Sequence, residues 1–432
     1  MTQEERIQRR QQETKNAIVV LIGVVCIIAA LIIGTVVVAG YFLKDKSEPV
    51  NTEITESVTE TETEIQETET ETEAPAPVID EATKQAISIV AEMTLEQKVA
   101  QMFIITPDAL ANVKGATVFG NTSKQAYSKY PVGGLIFSSK NLKGKAQTAD
   151  MAAKMKDYAK EVTGLPLFVG IEEEGGSVTQ IASAAGYGVP KVDKMSAIGA
   201  AGDANKAYEA GATIGSYLYD LGINFNLAPV ADVLGNAENT AIKDRAFSND
   251  PTVVTSMVLS VLQGFEENNV YGVIKHFPGH GSTSGDSSSQ IAENPKNLEE
   301  LRESDLVAFQ NLINAGADFI MVGHISVPNV TGSMAPSSMS EYMITQILRK
   351  EMGFDGIVIT DALNKKSITS NYDSVTAAVT AISAGADMLL MPSNFRETYV
   401  GVIAAVKEGT LTEEQINTAV VRIVKAKQAM YQ

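Results

Sequence analysis

The chain has 432 residues, 44% hydrophobic and 20% charged, ordinary proportions for a globular protein that exclude wholesale disorder. One cysteine, Cys26, excludes an intramolecular disulfide scaffold and a cysteine-rich metal site, and three histidines leave little room for histidine-based metal chemistry. A formal net charge of −18 argues against a nucleic-acid partner, which calls for a basic face.

Residues 17–43, from Ala17 to Leu43, carry no charge. A helix of that length reaches about 40 Å, enough to cross a hydrocarbon core of roughly 30 Å with some tilt. A cleaved signal peptide is the alternative. The run is longer than the usual apolar region of about 7–15 residues, and Cys26 follows Val24 and Val25, which is not a lipoprotein cleavage context. The expectation is an uncleaved transmembrane anchor at 17–43. Arg6, Arg9, Arg10 and Lys15 place residues 1–16 in the cytoplasm and the remainder outside the cell.

Residues 44–81 form a Thr/Glu-rich linker with Thr59-Glu60-Thr61-Glu62-Thr63-Glu64 as its pattern. From Asp45 to Glu73 there are eleven acids against Lys46, so this segment carries −10 of the −18. Such a segment has little to bury and is expected to stay disordered, as a self-repelling stalk rather than a cation-binding site.

From residue 82 to 432, short apolar runs alternate with amphipathic stretches. The runs are Met102–Ile105, Gly134–Phe137, Leu167–Ile171, Ile223–Ala228, Val273–His276, Phe319–Val322, Gly356–Thr360 and Met388–Met391. The helical stretches include Thr148–Glu161, Asn205–Leu221, Thr252–Glu267, Leu298–Ala315, Ser340–Met352, Val375–Ala384 and Glu413–Met430. Eight strand–helix repeats predict an α/β fold, a (β/α)8 TIM-type barrel. A doubly wound open sheet is disfavoured, because no strand is followed by a Gly-x-Gly-x-x-Gly loop.

A barrel of this kind places its chemistry at the C-terminal strand ends. Those ends carry Glu172, Glu173 and Glu174, then Asp232 and Arg245, then Lys275, His276 and His280, then His324 and finally Asp361. Every histidine in the chain is among them. The densest patch, Lys275-His276-Phe277-Pro278-Gly279-His280-Gly281, suits a small ligand rich in hydroxyl groups. A Schiff-base role for Lys275 is the alternative. Asp361, a short carboxylate ending an apolar strand, reads as a rigidly held nucleophile or as a helix N-cap.

These motifs resemble glycoside hydrolase family 3, in its single-domain β-N-acetylhexosaminidase branch. The matches, in chain order, are Glu174-Gly175-Gly176, Ala228 through Val233, Arg245-Ala246-Phe247 with Asp250-Pro251, the Lys275 patch, Gly323-His324-Ile325 with Pro336 through Ser340, and Gly353 through Asp361. The resemblance covers about 88–430. It implies an exo-acting, retaining mechanism in which Asp361 attacks the anomeric carbon. It also implies that Glu172, Gln180, Arg245, Lys275, His276 and His324 bind substrate. It implies no metal or organic cofactor and no obligate partner, so a monomer acting on carbohydrate is expected. With the anchor, it suggests a bacterial surface protein facing the cell wall.

The chain departs from the family pattern on the loop after the Lys275 patch. The branch carries an Asp-Ser/Thr-His sequence there, with the His as general acid/base. Here Asp286 matches the aspartate and Ser288 takes the histidine position. A serine hydroxyl does not titrate near neutrality and does not replace an imidazole. In the sugar pocket, Glu172 stands for Asp, Gln180 for Arg and Ser177 for Arg, and the chain has no tryptophan to stack on a sugar. Three readings follow: a glycosidase whose proton comes from Glu173, Asp286 or another carboxylate; a glycan-binding protein that has lost turnover; or an enzyme with an altered acceptor or substrate.

Overall fold

A computed structural model describes residues 80–430. The expected cytoplasmic segment, the anchor at 17–43 and the linker up to residue 79 lie outside the described residues; the linker ends earlier than expected, because Glu81 already opens the helix Glu81–Ala91. Among the described residues no helix is long and apolar enough to cross a membrane.

All eight apolar runs become barrel strands. These are β1 (Phe103–Ile105), β2 (Gly134–Ile136), β3 (Phe168–Ile171), β4 (Phe225–Asn226), a fifth strand in two parts, β5 (Tyr271–Gly272) and β6 (Ile274–Phe277), then β8 (Phe319–Val322), β10 (Ile357–Thr360) and β11 (Leu389–Leu390). Every pairing is parallel. Phe103 sits beside Leu389, Ile104 beside Gly134, Leu135 beside Val169, Gly170 beside Phe225 and Phe225 beside Tyr271. On the other side, Ile274 pairs with Ile320, and Ile320 with Val358. A bridge between Ile359 and Met388 closes the ring, and one between Val230 and Lys275 extends the β4–β6 contact. A parallel pair absent from the sequence reading, β7 (Ala292–Glu293) with β9 (Ile325–Ser326), ties two of the loops at the site together.

The helices start where the sequence supplies caps. Asp250 accepts the Thr252 amide at 2.7 Å, with Pro251 in the first turn, so the Asp250-Pro251 element is a helix start (Pro251–Glu266). Asp373 caps Ser374–Ala384, and Thr412 with Gln415 forms a reciprocal box opening Glu413–Ala429. The expected single helix over 298–315 is instead two, Leu298–Arg302 and Asp305–Asn314, broken at Ser304, whose hydroxyl turns back to the Glu300 carbonyl. The helices Ala204–Asp220 and Pro251–Glu266 pack through glycines. A Cβ on Gly211 would stand 2.3 Å from the Val261 carbonyl oxygen.

Below the site, the barrel floor is aromatic. Phe168, Phe225 and Phe319 have ring centroids 5.1–5.6 Å apart, and Tyr271 stacks edge-on to Phe319 at 5.4 Å. Such pairs contribute about 0.5–1.5 kcal/mol each beyond burial. Gly170 leaves the space that the Phe225 ring takes, 3.2 Å from where a Cβ would be. This packing seals the N-terminal end and leaves polar residues to the C-terminal end.

Candidate active site

β3 releases three consecutive glutamates, and the backbone sends them to different places. Gly175 and Gly176, at φ of +98° and +57°, reverse the chain so that the Glu174 amide meets the Val178 carbonyl at 2.8 Å. Glu173 is fully buried. Its carboxylate accepts the amides of Gln180, Ile181 and Ala182 at 2.5–2.9 Å and the Tyr217 hydroxyl at 2.9 Å. Glu173, expected as one source of the catalytic proton, is therefore the scaffold of its own loop, with both oxygens occupied as acceptors.

Glu172 and Glu174 take the other side and hold Lys275. The ammonium lies 2.6 Å from an oxygen of each and is fully buried. Glu174 is also gripped by Arg245, Nε at 2.8 Å and Nη2 at 2.6 Å, a two-pronged pairing. Burial raises the Glu174 carboxyl, but Lys275 and Arg245 outweigh it and bring it down to about 2. Burial opposes the Lys275 charge, yet Glu172 and Glu174 hold its pKa above the ordinary lysine value. A lysine fixed as an ammonium is not the neutral amine a Schiff base requires, so that alternative falls.

The strand-four and strand-five ends are joined by Asp232, which is fully buried. One oxygen accepts the backbone amides of His276 and His280 at 3.2 and 2.7 Å, and the other lies 2.8 Å from His276 Nδ1. Burial raises the Asp232 carboxyl, but the His276 and His280 contacts hold it below the usual range. The ionised Asp232 accepts the Nδ1–H hydrogen bond of His276, and among the described residues Nε2 has no hydrogen-bond partner. His280 has no free ring atom: Nδ1 is 2.7 Å from the Thr283 hydroxyl and Nε2 is 2.9 Å from that of Ser287. Burial and neighbouring His276 push it down to about 4, so it is neutral.

Asp361 follows β10. One carboxylate oxygen accepts the amide of Ala362 at 2.7 Å and the other meets Lys365 Nζ at 2.7 Å. Burial works against its ionisation, but Lys365, His324 and His276 hold it far below the ordinary aspartate value. The next helix begins at Lys366, beyond reach of an Asp361 cap, so the N-cap alternative is not what the fold uses. His324 is fully buried. Its Nδ1 is 2.8 Å from Ser338 Oγ and its Nε2 is 3.0 Å from the Ala362 carbonyl oxygen. With both nitrogens engaged, His324, expected to bind substrate, instead sets the residue that follows Asp361.

The loop of Asp286 and Ser288 folds over this end. Asp286 accepts the Ser288 amide at 2.8 Å and its hydroxyl at 2.6 Å. Partial burial raises the Asp286 carboxyl, but Ser288, Lys365 and His280 lower it overall. Ser288 is exposed, and its proton is directed at Asp286. Gln180 sits at the loop edge with its amide nitrogen of the backbone on Glu173 and its side-chain Oε1 buried without a partner. Lys365, in contact with Asp361, is a site residue that no sequence motif marks. Its one signal was a cation four positions after Asp361.

A family model described as "Glycosyl hydrolase family 3 N terminal domain" matches residues 94–426. Beta-hexosaminidase A of Pseudoalteromonas piscicida is 34% identical over 325 residues, 69% of this chain and 54% of that protein, so the chain spans about half that relative's length. Among solved structures, a family 3 beta-N-acetylglucosaminidase from Paenibacillus sp. str. FPU-7 superposes with a TM-score of 0.73 at 34% identity, covering 79% of this chain and 64% of that one. A beta-N-acetylhexosaminidase from Beutenbergia cavernae DSM 12333 gives 0.70 at 28% identity, covering 78% and 99%.

Proposed function

The chain belongs to glycosyl hydrolase family 3, and from that premise we propose that it is a retaining, exo-acting β-N-acetylhexosaminidase that releases terminal N-acetylglucosamine-type residues from glycans or cell-wall fragments. The observation that carries this reading is Asp361: an ionised, nearly buried carboxylate at a barrel-strand end, steered by the Ala362 amide and Lys365. Its oxygen attacks the anomeric carbon, the leaving oxygen departs with a proton, and water then cleaves the glycosyl ester. Arg245 and the Nε2 of His276 bind sugar hydroxyls or the acetamido group from one wall of the mouth, and Lys275, expected to bind substrate, is fully buried between Glu172 and Glu174 and braces that wall instead. Lys275 and Arg245 are held in place by Glu172 and Glu174, so little ordering is left for the substrate to impose.

The Ser288 exchange supports a second reading, a catalytically impaired member that binds glycans at the surface. Assay of the full-length chain on aryl β-N-acetylglucosaminides decides between them. Turnover that falls at least about 10³-fold in Asp361→Asn supports the hydrolase. Binding of N-acetylglucosamine oligomers without turnover supports the second reading.

The proposed setting is a single-pass membrane protein with its barrel outside the cell, on an anchor at 17–43 followed by the Thr/Glu-rich segment that precedes the helix at Glu81. A mature N-terminus near residue 44 in the membrane fraction, read by mass spectrometry, would overturn the anchor.

A further inference from the structure

The site carries several cationic or ionisable donors, and the fold has used up most of them. Lys275 is fully buried between Glu172 and Glu174, and Arg245 is committed to Glu174. His280 and His324 have both ring nitrogens engaged, and His276 has Nδ1 on Asp232. Glu173 is an acceptor for its own loop, and Ser288 has no proton it can transfer near neutrality.

Lys365 differs from all of these. Its side chain is 27% exposed, where that of Lys275 is wholly buried, and its Nζ is 2.7 Å from the attacking carboxylate of Asp361. The charged and titratable groups that face it are Asp361 on its own loop, Asp286 on the loop after strand five and His324 at the end of β8. It is therefore a partly exposed cation in contact with Asp361 and within electrostatic reach of Asp286, on the loop that follows β10.

Resting on the hydrolase reading above, we propose that Lys365 is the proton carrier of this site: a catalytic residue that takes the place of the histidine replaced by Ser288. As an Asp361 oxygen bonds to the anomeric carbon, the bond to the glycosidic oxygen breaks, and that oxygen takes a proton from the Lys365 ammonium. Esterification cancels the negative charge of Asp361. The Lys365 side chain then faces a neutral ester where the carboxylate stood at 2.7 Å. In the second step the neutral amine accepts a proton from water as the water oxygen attacks the anomeric carbon. Asp361 leaves as the carboxylate, and the starting ion pair re-forms. The same pair steers the nucleophile in one state and readies the base in the next.

The test uses the full-length chain as wild type, Lys365→Met and Lys365→Arg. The substrates are methyl β-N-acetylglucosaminide, whose leaving group needs a proton, and the dinitrophenyl glycoside, whose leaving group does not. Arginine keeps the ion pair with Asp361 but does not give up its proton, so it separates proton transfer from positioning and from loss of fold. In both variants kcat/KM on the methyl glycoside is expected to fall about 10²-fold or more, and on the dinitrophenyl glycoside by less than about tenfold. Azide is expected to speed the variants and to yield glycosyl azide, with no effect on wild type. An equal loss on both substrates, or a Lys365→Arg enzyme as fast as wild type, would overturn the assignment. Wild type that cleaves only the dinitrophenyl glycoside would overturn it too, while leaving Asp361 as nucleophile. Wild type inactive on both would remove the hydrolase reading and this proposal with it.

Discussion

Arg245 reaches from the loop after strand four to Glu174 at the end of strand three, Nε at 2.8 Å from one carboxylate oxygen and Nη2 at 2.6 Å from the other. The planar fork fixes the carboxylate in two dimensions, and the fixed carboxylate in turn fixes Lys275. Lysine at 245 would keep the charge and lose the fork. Arg245→Lys is therefore expected to raise KM for aryl β-N-acetylglucosaminides about tenfold with a smaller change in kcat, read from steady-state kinetics. A KM within twofold of wild type would show that Glu174 and Lys275 hold their places unaided.

Glu173 carries a stability prediction rather than a catalytic one. Its removal leaves three backbone amides and the Tyr217 hydroxyl without their acceptor. Unpaired buried polar groups cost about 1–3 kcal/mol each. Glu173→Ala is expected to lose on the order of 3–5 kcal/mol in urea unfolding and to lower activity through displacement of Glu172 and Glu174. A loss below about 1 kcal/mol would mean that water replaces the carboxylate.

Ser288 is exposed and bonds only to Asp286 within its loop. Ser288→Ala is expected to change kcat on any β-N-acetylglucosaminide less than about fivefold, because a hydroxyl contributes no general acid near neutral pH. A loss of 10² or more on the methyl glycoside alone would assign the proton to the Ser288–Asp286 pair instead.

Lys427, from the C-terminal helix, ends against the barrel floor. Its Nζ donates to Gln101 Oε1 at 2.7 Å and lies 5.3 Å from the centre of the Phe168 ring. Burial pushes its pKa down to about 7. The unfolded chain then binds more protons than the folded one from about pH 7 to 10, so stability rises with pH across that window. The contribution is roughly 2–4 kcal/mol. Urea midpoints at about pH 7 and about pH 9.5 are expected to differ more in wild type than in Lys427→Met. Equal differences would show that Lys427 is not the titrating group.

Much of this was legible in the chain itself. Parallel strands buried on both faces read as continuous apolar runs such as Phe319–Val322, and all eight were visible for that reason. Local chemistry exposed helix starts: Asp250 before Pro251 reads as a cap followed by a first-turn proline. The site's motifs place Lys275, His276 and Asp361 at strand ends and Arg245 in the loop after strand four.

What sequence order does not carry is the direction of each side chain. Glu172, Glu173 and Glu174 are neighbours of one type, yet the turn at Gly175 and Gly176 sends the middle one into the scaffold and the outer two to Lys275. His276 lies inside the fifth strand and His324 just past the end of β8, and the packing of Asp232 against one and of Ser338 and Ala362 against the other separates their duties. The order of apolar runs and amphipathic stretches determined a barrel with polar chemistry at one end, because burial sorts residues by type along a strand. The tertiary structure decided which charges meet, as with Lys365 and Asp361, because Coulombic pairing depends on distances of a few ångströms that loops set.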